Sequence, residues 1–328
     1  MTGVEGAGAA AAAGPVGGAS PGGTGQGTVP AVLVAPAKLT VSLRLTGVRG
    51  DGYHLLEAEM VTLDLADTLY VTDGDGLEVS LEHLAPHGPV DGAPRASHRP
   101  AIGVPAGDDN LVRRALAAIG RRAHVELVKR IPPGAGLGGG SADAAAVLRW
   151  AGCDDLAVAA RLGADVPFCV VGGRARVTGI GEVVAPLAHV ERSFVLVLPP
   201  FGVDTASVYR AADELVAARG GTWGRGHPDS GSLSPEEATN DLEEAALLVE
   251  PRLAAWRDAL AEATGAAPRL AGSGSTWFVA GSASDLGVAG MSSLTVGGAT
   301  GRLVATRAVP SGRGGTGVAS VDPGPGRS

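Results

Sequence analysis

The chain has 328 residues, 45% of them hydrophobic and only 3% aromatic, so a sizeable core must be built mainly from Val, Leu and Ala. A formal net charge of -8 argues against a nucleic-acid surface, which needs a basic face, but not against a nucleotide, which needs only local donors. The sequence has two cysteines without metal-ligand spacing, and it shows no apolar run long enough to span a bilayer and no signal-peptide pattern. These features predict a cytoplasmic protein without a membrane partner.

Both ends of the chain are poor in large apolar side chains. Residues 1–30 consist largely of Gly, Ala, Pro, Ser and Thr, and residues 310–328 have the same character. Such segments cannot bury enough surface to offset the entropy lost on ordering, so we predict that both are disordered. The chain between them is predicted to form two domains, residues 31–185 and residues 186–309.

The first half of the ordered chain is predicted to consist mainly of strands. Residues 32–45 are extended, because Val41, Leu43 and Leu45 alternate with polar neighbours. A helix capped by Asp109 and Asn110 is predicted to run to about Ile119. The other strands of this half are predicted at residues 57–65, 69–72, 77–81 and 124–131, with an irregular loop at residues 83–108.

The second half mixes helices and strands without regular βαβ alternation, which predicts an α+β fold. Its helices are predicted from about residue 141 to Trp150 and at residues 155–162, 205–219, 235–249 and 252–264. Its strands are predicted at residues 168–171, 174–180, 193–198, 276–280 and 303–308, and a loop at residues 220–234.

The most distinctive stretch runs from Lys129 to Asp143 and joins a predicted strand to an Ala-rich helix. Its glycines permit sharp turns and let a bulky anion approach the main chain. The helix N-terminus adds free N–H groups and the positive dipole end. We therefore predict a nucleotide triphosphate cradle, in which Ser141 caps the helix or faces a phosphate or metal ion. The cradle residues are Pro132, Pro133, Gly134, Ala135, Gly136, Leu137, Gly138, Gly139, Gly140, Ser141 and Ala142.

Other interpretations of this loop remain open. A glycine-rich turn is often only a turn. Gly134, Gly136 and Gly139 also match the dinucleotide-binding pattern, but two prolines precede them and the loop is longer than the tight turn of a Rossmann unit. The loop is not a Walker A motif, because no Lys-Ser or Lys-Thr follows its last glycine.

Polar residues elsewhere are candidates for chemistry, since phosphoryl transfer needs a group for the acceptor proton and positive charge on the phosphates. Lys38 lies between Ala37 and Leu39, either as an edge residue or as a placed charge. Asp165 enters an apolar segment, as a turn carboxylate or as a functional one. Tyr53 and His54 follow a turn. Either they are a packed ring and a surface imidazole, or they bind a heterocycle by stacking and hydrogen bonding.

Five segments occur together in a characteristic order, and the series resembles the GHMP small-molecule kinases over about residues 32–308. Two of the segments, at residues 51–54 and 163–167, resemble the family members that act on 4-diphosphocytidyl-2-C-methyl-D-erythritol, and residues 240–243 fit them as well. The five segments are Pro36-Ala37-Lys38, Asp51-Gly52-Tyr53-His54, residues 132–141, residues 163–168 and Gly272-Ser273-Gly274.

The resemblance implies a two-domain α+β GHMP kinase fold, with an N-terminal ribosomal-protein-S5-like domain, a ferredoxin-like C-terminal domain and a deep cleft between them. It implies ATP-dependent phosphorylation of the erythritol 2-hydroxyl, with Mg²⁺, in the non-mevalonate route to isoprenoid precursors. The expected assembly is a monomer or a homodimer. The alternatives are a GHMP kinase for homoserine or mevalonate, and a non-catalytic nucleotide-binding protein.

The resemblance also implies residue roles. Asp165 would be the general base, and Lys38 would orient the hydroxyl and stabilise charge. Tyr53 would stack on cytosine, and His54 would hydrogen-bond to its edge. The loop would bind ATP phosphates, with Asn110 and Lys129 near the adenosine and Ser141 as a weak metal ligand. The remaining expected substrate-binding residues are Thr40, Thr205, Tyr209, Gly272, Ser273 and Gly274.

Two departures from the family pattern lie near these residues. Thr40 stands where the family usually has Asn, and its hydroxyl has less reach. The segment between Ala146 and Gly163 is shorter than the family pattern leads us to expect.

Overall fold

The structure is a computed structural model that describes residues 30–81, 99–100, 106–221, 223 and 239–311. The predicted disorder of residues 1–29 and 312–328 lies outside the described residues. So do most of the loops predicted at residues 83–108 and 220–234.

Seven strands form the larger of two sheets. They are β1 (Ala31–Val48), β2 (His54–Thr72), β3 (Gly76–Leu81), β4 (Arg99–Pro100), β5 (His124–Lys129), β6 (Arg174–Gly179) and β7 (Val183–Leu187). Six run in the order β4-β3-β5-β2-β6-β7, and β1 pairs with β2 in a long hairpin. Only β3 and β5 pair in parallel among the described strands. The strands predicted at residues 57–65 and 69–72 are therefore one continuous strand, β2.

Five strands form the smaller sheet, all antiparallel, in the order β11-β12-β8-β10-β9. They are β8 (Ser193–Leu198), β9 (Arg269–Leu270), β10 (Trp277–Ala280), β11 (Ser293–Val296) and β12 (Ala299–Arg307). The chain passes from one sheet to the other between Leu187 and Ser193, and the boundary predicted at residues 185–186 falls inside β7.

Seven helices occur in the described part of the chain. They are α1 (Leu111–Ala118), α2 (Gly139–Trp150), α3 (Leu156–Leu162), α4 (Val166–Val171), α5 (Thr205–Ala218), α6 (Glu243–Val249) and α7 (Leu253–Thr264). Of these, α2 packs directly on β1 and β2, whereas α7 packs on β10 and β11. In the part of the chain that the structure describes, no helix is long and apolar enough to cross a membrane.

A cluster of apolar side chains joins the two sheets. It takes Leu39 and Leu63 from the β1–β2 hairpin, Leu137 from the glycine loop, and Phe194 and Phe278 from the smaller sheet. The two phenylalanine rings meet edge to face, with centroids 5.9 Å apart. The larger core lies mainly between the helices and the sheets and uses many Ala, Val and Leu side chains, as the composition predicts.

The α+β class is confirmed, but several element predictions are wrong. Residues 168–171 are not a strand: they belong to α4, because Asp165 and Pro167 start a helix that ends at Gly172. The start of the helix predicted at residues 235–249 lies outside the described residues; from residue 239 onwards, Asn240 forms a β-bridge with Leu43 and α6 begins at Glu243. The strands β4, β7, β9 and β11 were not predicted, and β4 lies within the loop predicted at residues 83–108.

Candidate active site

A cleft of about 810 Å³ brings the predicted site residues together. Its walls come from the glycine loop, from β1, from the start of β2 and from α5. Every predicted site residue lines it except Ala142 and Gly274, which are buried beside it. Residues separated by more than 200 positions in the sequence therefore share one cavity.

The glycine loop turns through three left-handed positions before α2 begins. Gly134, Gly136 and Gly138 have backbone φ angles of 68°, 75° and 65°, which residues other than glycine rarely adopt. Gly138 is the N-cap of α2, so Ser141 lies inside the helix and does not cap it. The capping alternative for Ser141 is therefore wrong, and its side chain lines the cleft instead.

Two of these glycines are required by contacts within the protein. A Cβ atom on Gly136 would collide with the carbonyl oxygen of Ala271 and lie 2.8 Å from that of Gly274. A Cβ on Gly138 would lie 2.7 Å from Cγ of Lys38. The loop is thus packed against β1 and against the turn at residues 271–275, which we call the second glycine turn.

Main-chain hydrogen bonds hold the loop in this position. The carbonyl of Gly134 accepts from the amides of Val203 and Ser275, both at 3.1 Å. The carbonyl of Leu137 accepts from the Lys38 amide at 3.0 Å. β1, the segment before α5 and the second glycine turn therefore fix the shape of the loop before any ligand binds.

Register shifts in β1 aim Lys38 at the cleft. The pairing of β1 with β2 shifts between Pro36 and Lys38 and again between Thr40 and Ser42. Leu39, between the two shifts, packs in the cluster between the sheets, whereas Leu43, after the second shift, belongs to the larger core. Lys38 and Thr40 point the other way, because adjacent strand residues face opposite sides.

Lys38 and Asp165 form an ion pair inside the cleft. Nζ of Lys38 lies 3.3 Å from Oδ2 of Asp165 and donates to Oγ1 of Thr40 at 3.0 Å. The Lys38 side chain is almost fully buried, but that of Asp165 is 31% exposed. Asp165 is the N-cap of α4 without a side-chain capping bond, which leaves its carboxylate directed at the cleft. The pair thus couples a fixed positive charge to an accessible proton acceptor.

Lys129 has a different environment, between two buried carboxylates. Its Nζ donates to Oδ2 of Asp67 at 2.5 Å and to Oδ2 of Asp143 at 2.7 Å. The other oxygen of Asp67 accepts from the amides of Arg130 and Ile131 at 2.5 and 2.8 Å. Asp67 therefore fixes the main chain where β5 enters the glycine loop.

Charge in this cluster is unbalanced, with two carboxylates and one ammonium. Burial and the neighbouring Asp67 raise the pKa of Asp143 to about 7, although Lys129 acts against this. Burial opposes the charged form of Lys129, but the two carboxylates outweigh it and raise the pKa of the amine. Oδ1 of Asp143 has no hydrogen-bond partner among the described residues.

At the other end of the cleft, His54 contacts α5. Its Nε2 lies 2.7 Å from Oδ1 of Asp213, and the Trp223 indole donates to the same oxygen at 2.7 Å. The His54 ring lies against the Tyr209 ring, with centroids 4.9 Å apart. Burial and the negative charge of Asp165 raise the pKa of Tyr209 to about 12, so its hydroxyl stays protonated.

Tyr53 stands at the rim of the cleft and is 59% exposed. The Arg49 guanidinium lies 5.5 Å from the centroid of its ring, and Arg49 is also paired with Asp51 at 2.7 Å. Asp51 is thus a turn residue, and a cation lies over one face of the Tyr53 ring.

The second glycine turn reaches the cleft beside Lys38. A Cβ on Gly272 would lie 3.4 Å from Nζ of Lys38. The Ser273 hydroxyl lies 2.9 Å from that of Thr205 at the start of α5. The Asn240 amide donates to the carbonyl of Gly272 at 2.7 Å. Asn240 therefore shapes the turn from outside, which accounts for its place in the sequence pattern.

Asn110 lines the cleft while capping α1. Its Oδ1 accepts from the amide of Val112 at 2.9 Å, as the sequence predicts for a cap. The start of α1 lies close to the glycine loop, since a Cβ on Gly140 would lie 3.5 Å from Leu111. Two helix starts therefore meet at this end of the cleft.

Four residues with clear places in the site were not among the predicted site residues. Asp67 is a buried charge in a strand, Asp143 follows the glycine loop, and Asp213 and Trp223 position His54. An Asp inside the apolar stretch Leu65–Leu69 was a usable signal for Asp67. No sequence signal identifies Asp213, because its contact with His54 spans 159 residues.

Comparison with known proteins agrees with this geometry. Residues 110–173 match the family described as GHMP kinases N terminal domain. A relative from Paracoccus denitrificans (strain Pd 1222), named 4-diphosphocytidyl-2-C-methyl-D-erythritol kinase, is 38% identical over 247 residues, which cover 74% of this chain and 84% of that protein. A relative of the same name from Ruegeria pomeroyi (strain ATCC 700808 / DSM 15171 / DSS-3) is also 38% identical, over 74% of this chain and 86% of its own length.

Solved structures show the same likeness. A crystal structure of 4-(cytidine 5'-diphospho)-2C-methyl-D-erythritol kinase is 29% identical, with a TM-score of 0.55 over 85% of this chain and 99% of that chain. A structure of L. major mevalonate kinase in complex with R-mevalonate has a TM-score of 0.57 at 15% identity, over 87% of this chain and 97% of that one. The second likeness concerns the fold alone.

Proposed function

This chain belongs to the 4-diphosphocytidyl-2-C-methyl-D-erythritol kinase family of the GHMP kinases, and from that premise we propose that it transfers the γ-phosphate of ATP to the 2-hydroxyl of that cytidyl compound. The observation that carries the proposal is the Lys38–Asp165 pair, which lies in one cleft with the glycine loop and the His54 pocket. The acceptor hydroxyl would lie beside this pair.

In the proposed reaction the Asp165 carboxylate accepts the hydroxyl proton as the hydroxyl oxygen bonds to the γ-phosphorus. The bond between that phosphorus and the bridging oxygen breaks, and ADP leaves with the electron pair. Lys38 holds the hydroxyl in line and balances the developing negative charge. Its contact with Thr40 and its packing against Gly138 limit its motion, so the pair is positioned before substrate binds.

The glycine loop and the start of α2 would hold the ATP phosphates, since main-chain N–H groups at a helix N-terminus bind anions. Asn110 and Lys129 line the cleft and would lie near the adenosine. No group of three or more His, Cys, Asp or Glu side chains that could hold a metal ion occurs among the described residues. Mg²⁺ usually takes one or two protein oxygens together with phosphate oxygens, and the Ser141 hydroxyl would supply one of them. The ion would neutralise phosphate charge.

The cytosine would bind at the other end, stacked on Tyr53 and hydrogen-bonded to His54. A hydrogen bond donated by the His54 Nε2–H group to Asp213 would leave Nδ1 free of a proton. Nδ1 would then accept a hydrogen bond from the exocyclic amine of cytosine. Thr40, Thr205, Tyr209, Gly272 and Ser273 line the same cleft and would contact the substrate, with the buried Gly274 beside them. The two sheets also support the proposed division into two domains. The metabolic role would place the enzyme in the cytoplasm. The proposed assembly is a monomer or a homodimer.

The test is ATP consumption by the purified chain with Mg²⁺ and the cytidyl compound, compared with homoserine, mevalonate and no acceptor. Turnover with the cytidyl compound alone is the expected result. Turnover with another alcohol would discard the proposed substrate but keep the roles of Lys38 and Asp165. ATP binding without turnover on any acceptor would favour a non-catalytic nucleotide-binding protein.

A further inference from the structure

A second cavity of about 370 Å³ lies at the far end of α2 from the glycine loop. Its volume is within the range of small-molecule pockets. The walls are largely apolar and include Val34, Trp150, Phe168 and Val309. Among the described residues that line it, Arg149 carries the only charge.

The Arg149 guanidinium has no carboxylate partner in the described part of the chain. It donates to the carbonyl of Cys169, and to that of Val34 at 3.2 Å. These bonds use two of its five N–H groups, and the other three have no acceptor among the described residues. Burial lowers the pKa of Arg149, which is the expected effect of a low-dielectric site without a counter-charge.

A partly buried guanidinium at the wall of an apolar cavity favours one class of ligand. Its planar N–H pairs match the two oxygens of a carboxylate, and a carboxylate carries the single negative charge that one guanidinium balances. A phosphate dianion would need more positive charge than these walls contain. The apolar remainder of the cavity fits a hydrocarbon chain.

The elements around this cavity also carry the catalytic cleft. β1 lines the cavity with Val34 and the cleft with Lys38. α2 lines the cavity with Arg149 and begins at the glycine loop. α4 lines it with Cys169, and Asp165 is its N-cap. A ligand that shifts any of these elements would therefore alter the cleft.

We propose that this cavity binds a carboxylate with a short apolar chain through Arg149, and that its occupancy changes nucleotide affinity in the cleft. The proposal rests on the cavity and on the elements it shares with the cleft, and not on the identity of the acceptor substrate. It can therefore fail or succeed independently of the proposed kinase activity.

Calorimetric titration of the full chain with octanoate, and with octanamide as the neutral control, tests the binding. Octanoate is expected to bind at least about tenfold more tightly than octanamide, because charge-assisted hydrogen bonds are stronger than neutral ones. Equal affinity for the two compounds would overturn the role of Arg149.

Three variants locate the bound probe. Arg149→Met is expected to weaken octanoate binding about tenfold. Val34→Phe narrows the cavity but keeps Arg149 and the main-chain carbonyl at position 34, and it is expected to abolish octanoate binding. This variant tests the site independently, in case Arg149→Met folds poorly. Val183→Phe, at a similarly exposed valine of β7, lines neither cavity and should bind octanoate normally. Normal binding by Val34→Phe would place the probe elsewhere and overturn the proposal.

Coupling is tested by titrating ADP with and without saturating octanoate. A change in ADP affinity of about fivefold is expected, with the reciprocal change in octanoate affinity at saturating ADP. Both changes should disappear in Val34→Phe and persist in Val183→Phe. Octanoate binding with an unchanged ADP affinity would overturn the effector role.

Discussion

Two buried lysines line the same cleft, and the comparison between them separates structure from chemistry. Lys129 lies between two fully buried carboxylates at 2.5 and 2.7 Å. Lys38 meets one carboxylate at 3.3 Å, and that carboxylate is partly exposed. Lys129 therefore acts as a fixed counter-charge inside the fold, whereas Lys38 retains room for a second negative group.

The difference follows from where the partners lie. Asp67 and Asp143 come from β2 and α2, and they close over Lys129 on both sides. Asp165 comes from the start of α4 and approaches Lys38 from the cleft only. Removal of a buried partner leaves an uncompensated charge, whereas an exposed partner can be solvated. The two sites should therefore respond differently to the same substitution.

The largest expected effect is on stability, from Lys129→Met. This change leaves two carboxylates buried without a counter-charge and is expected to lower the free energy of unfolding by about 3–5 kcal/mol. Lys38→Met is the matched control, and it should cost less because Asp165 can be hydrated. Urea denaturation of both variants measures the difference, and equal losses would contradict the distinction between the two lysines.

Asp165→Asn is expected to act on turnover. The amide cannot accept the hydroxyl proton, so kcat should fall by a factor on the order of 10³, with ATP affinity nearly unchanged. Steady-state rates and a nucleotide-binding titration measure the two quantities. Asp258→Asn, at an exposed ion pair with Arg257, is the control. A rate close to that of the parent chain would remove Asp165 as the base.

Asp143→Asn should change how stability depends on pH. In the folded chain the pKa of Asp143 is raised from 3.8 to about 7, so its contribution to stability is present below pH 4 and is lost as pH rises towards 7. The amide keeps an acceptor for Lys129 and cannot ionise. As the pH rises from 4 to 8, the free energy of unfolding of Asp143→Asn should therefore increase relative to that of the parent chain by an amount on the order of 2 kcal/mol.

Urea denaturation at several pH values between 4 and 8 measures this difference, with Asp258→Asn as the exposed control. A constant difference between Asp143→Asn and the parent chain across this range would show that Asp143 is ionised throughout.

The smallest expected effect concerns the base pocket. Asp213→Asn removes the charged acceptor for His54 and should raise KM for the cytidyl substrate about threefold to tenfold, with kcat and KM for ATP retained. The split between these constants distinguishes a positioning role from a general loss of folding. A lowered kcat with an unchanged acceptor KM would contradict the assignment of this pocket to cytosine.

Local sequence signals predicted those parts of the molecule that depend on neighbours in the chain. The glycine loop, its helix and the Asn110 cap follow from glycine conformations and helix-end preferences, and all are present. The segment at Phe168 failed because Phe, Cys and Val favour strands in isolation, whereas Asp165, Pro167 and burial on α2 impose a helix.

Tertiary partners were beyond the reach of the sequence signals. The side chains of Lys38 and Asp165 were each predicted as candidates, but their meeting depends on two register shifts in β1. The Lys129 cluster was missed for a similar reason, since Asp67 lies 62 residues before Lys129 and no local pattern links them. Only the resemblance to a family assigned Lys38 and Asp165 to a common site.

The contact between Gly136 and the second glycine turn has a consequence for recombination between related enzymes. The carbonyls of Ala271 and Gly274 fill the space that a side chain at position 136 would occupy. The conformation of the glycine loop therefore depends on residues more than 130 positions away. A chimera that exchanges the halves of two homologues at residues 188–192 would unite a loop with a turn shaped for another partner. Such chimeras should retain nucleotide binding only when the loop and the turn come from the same parent.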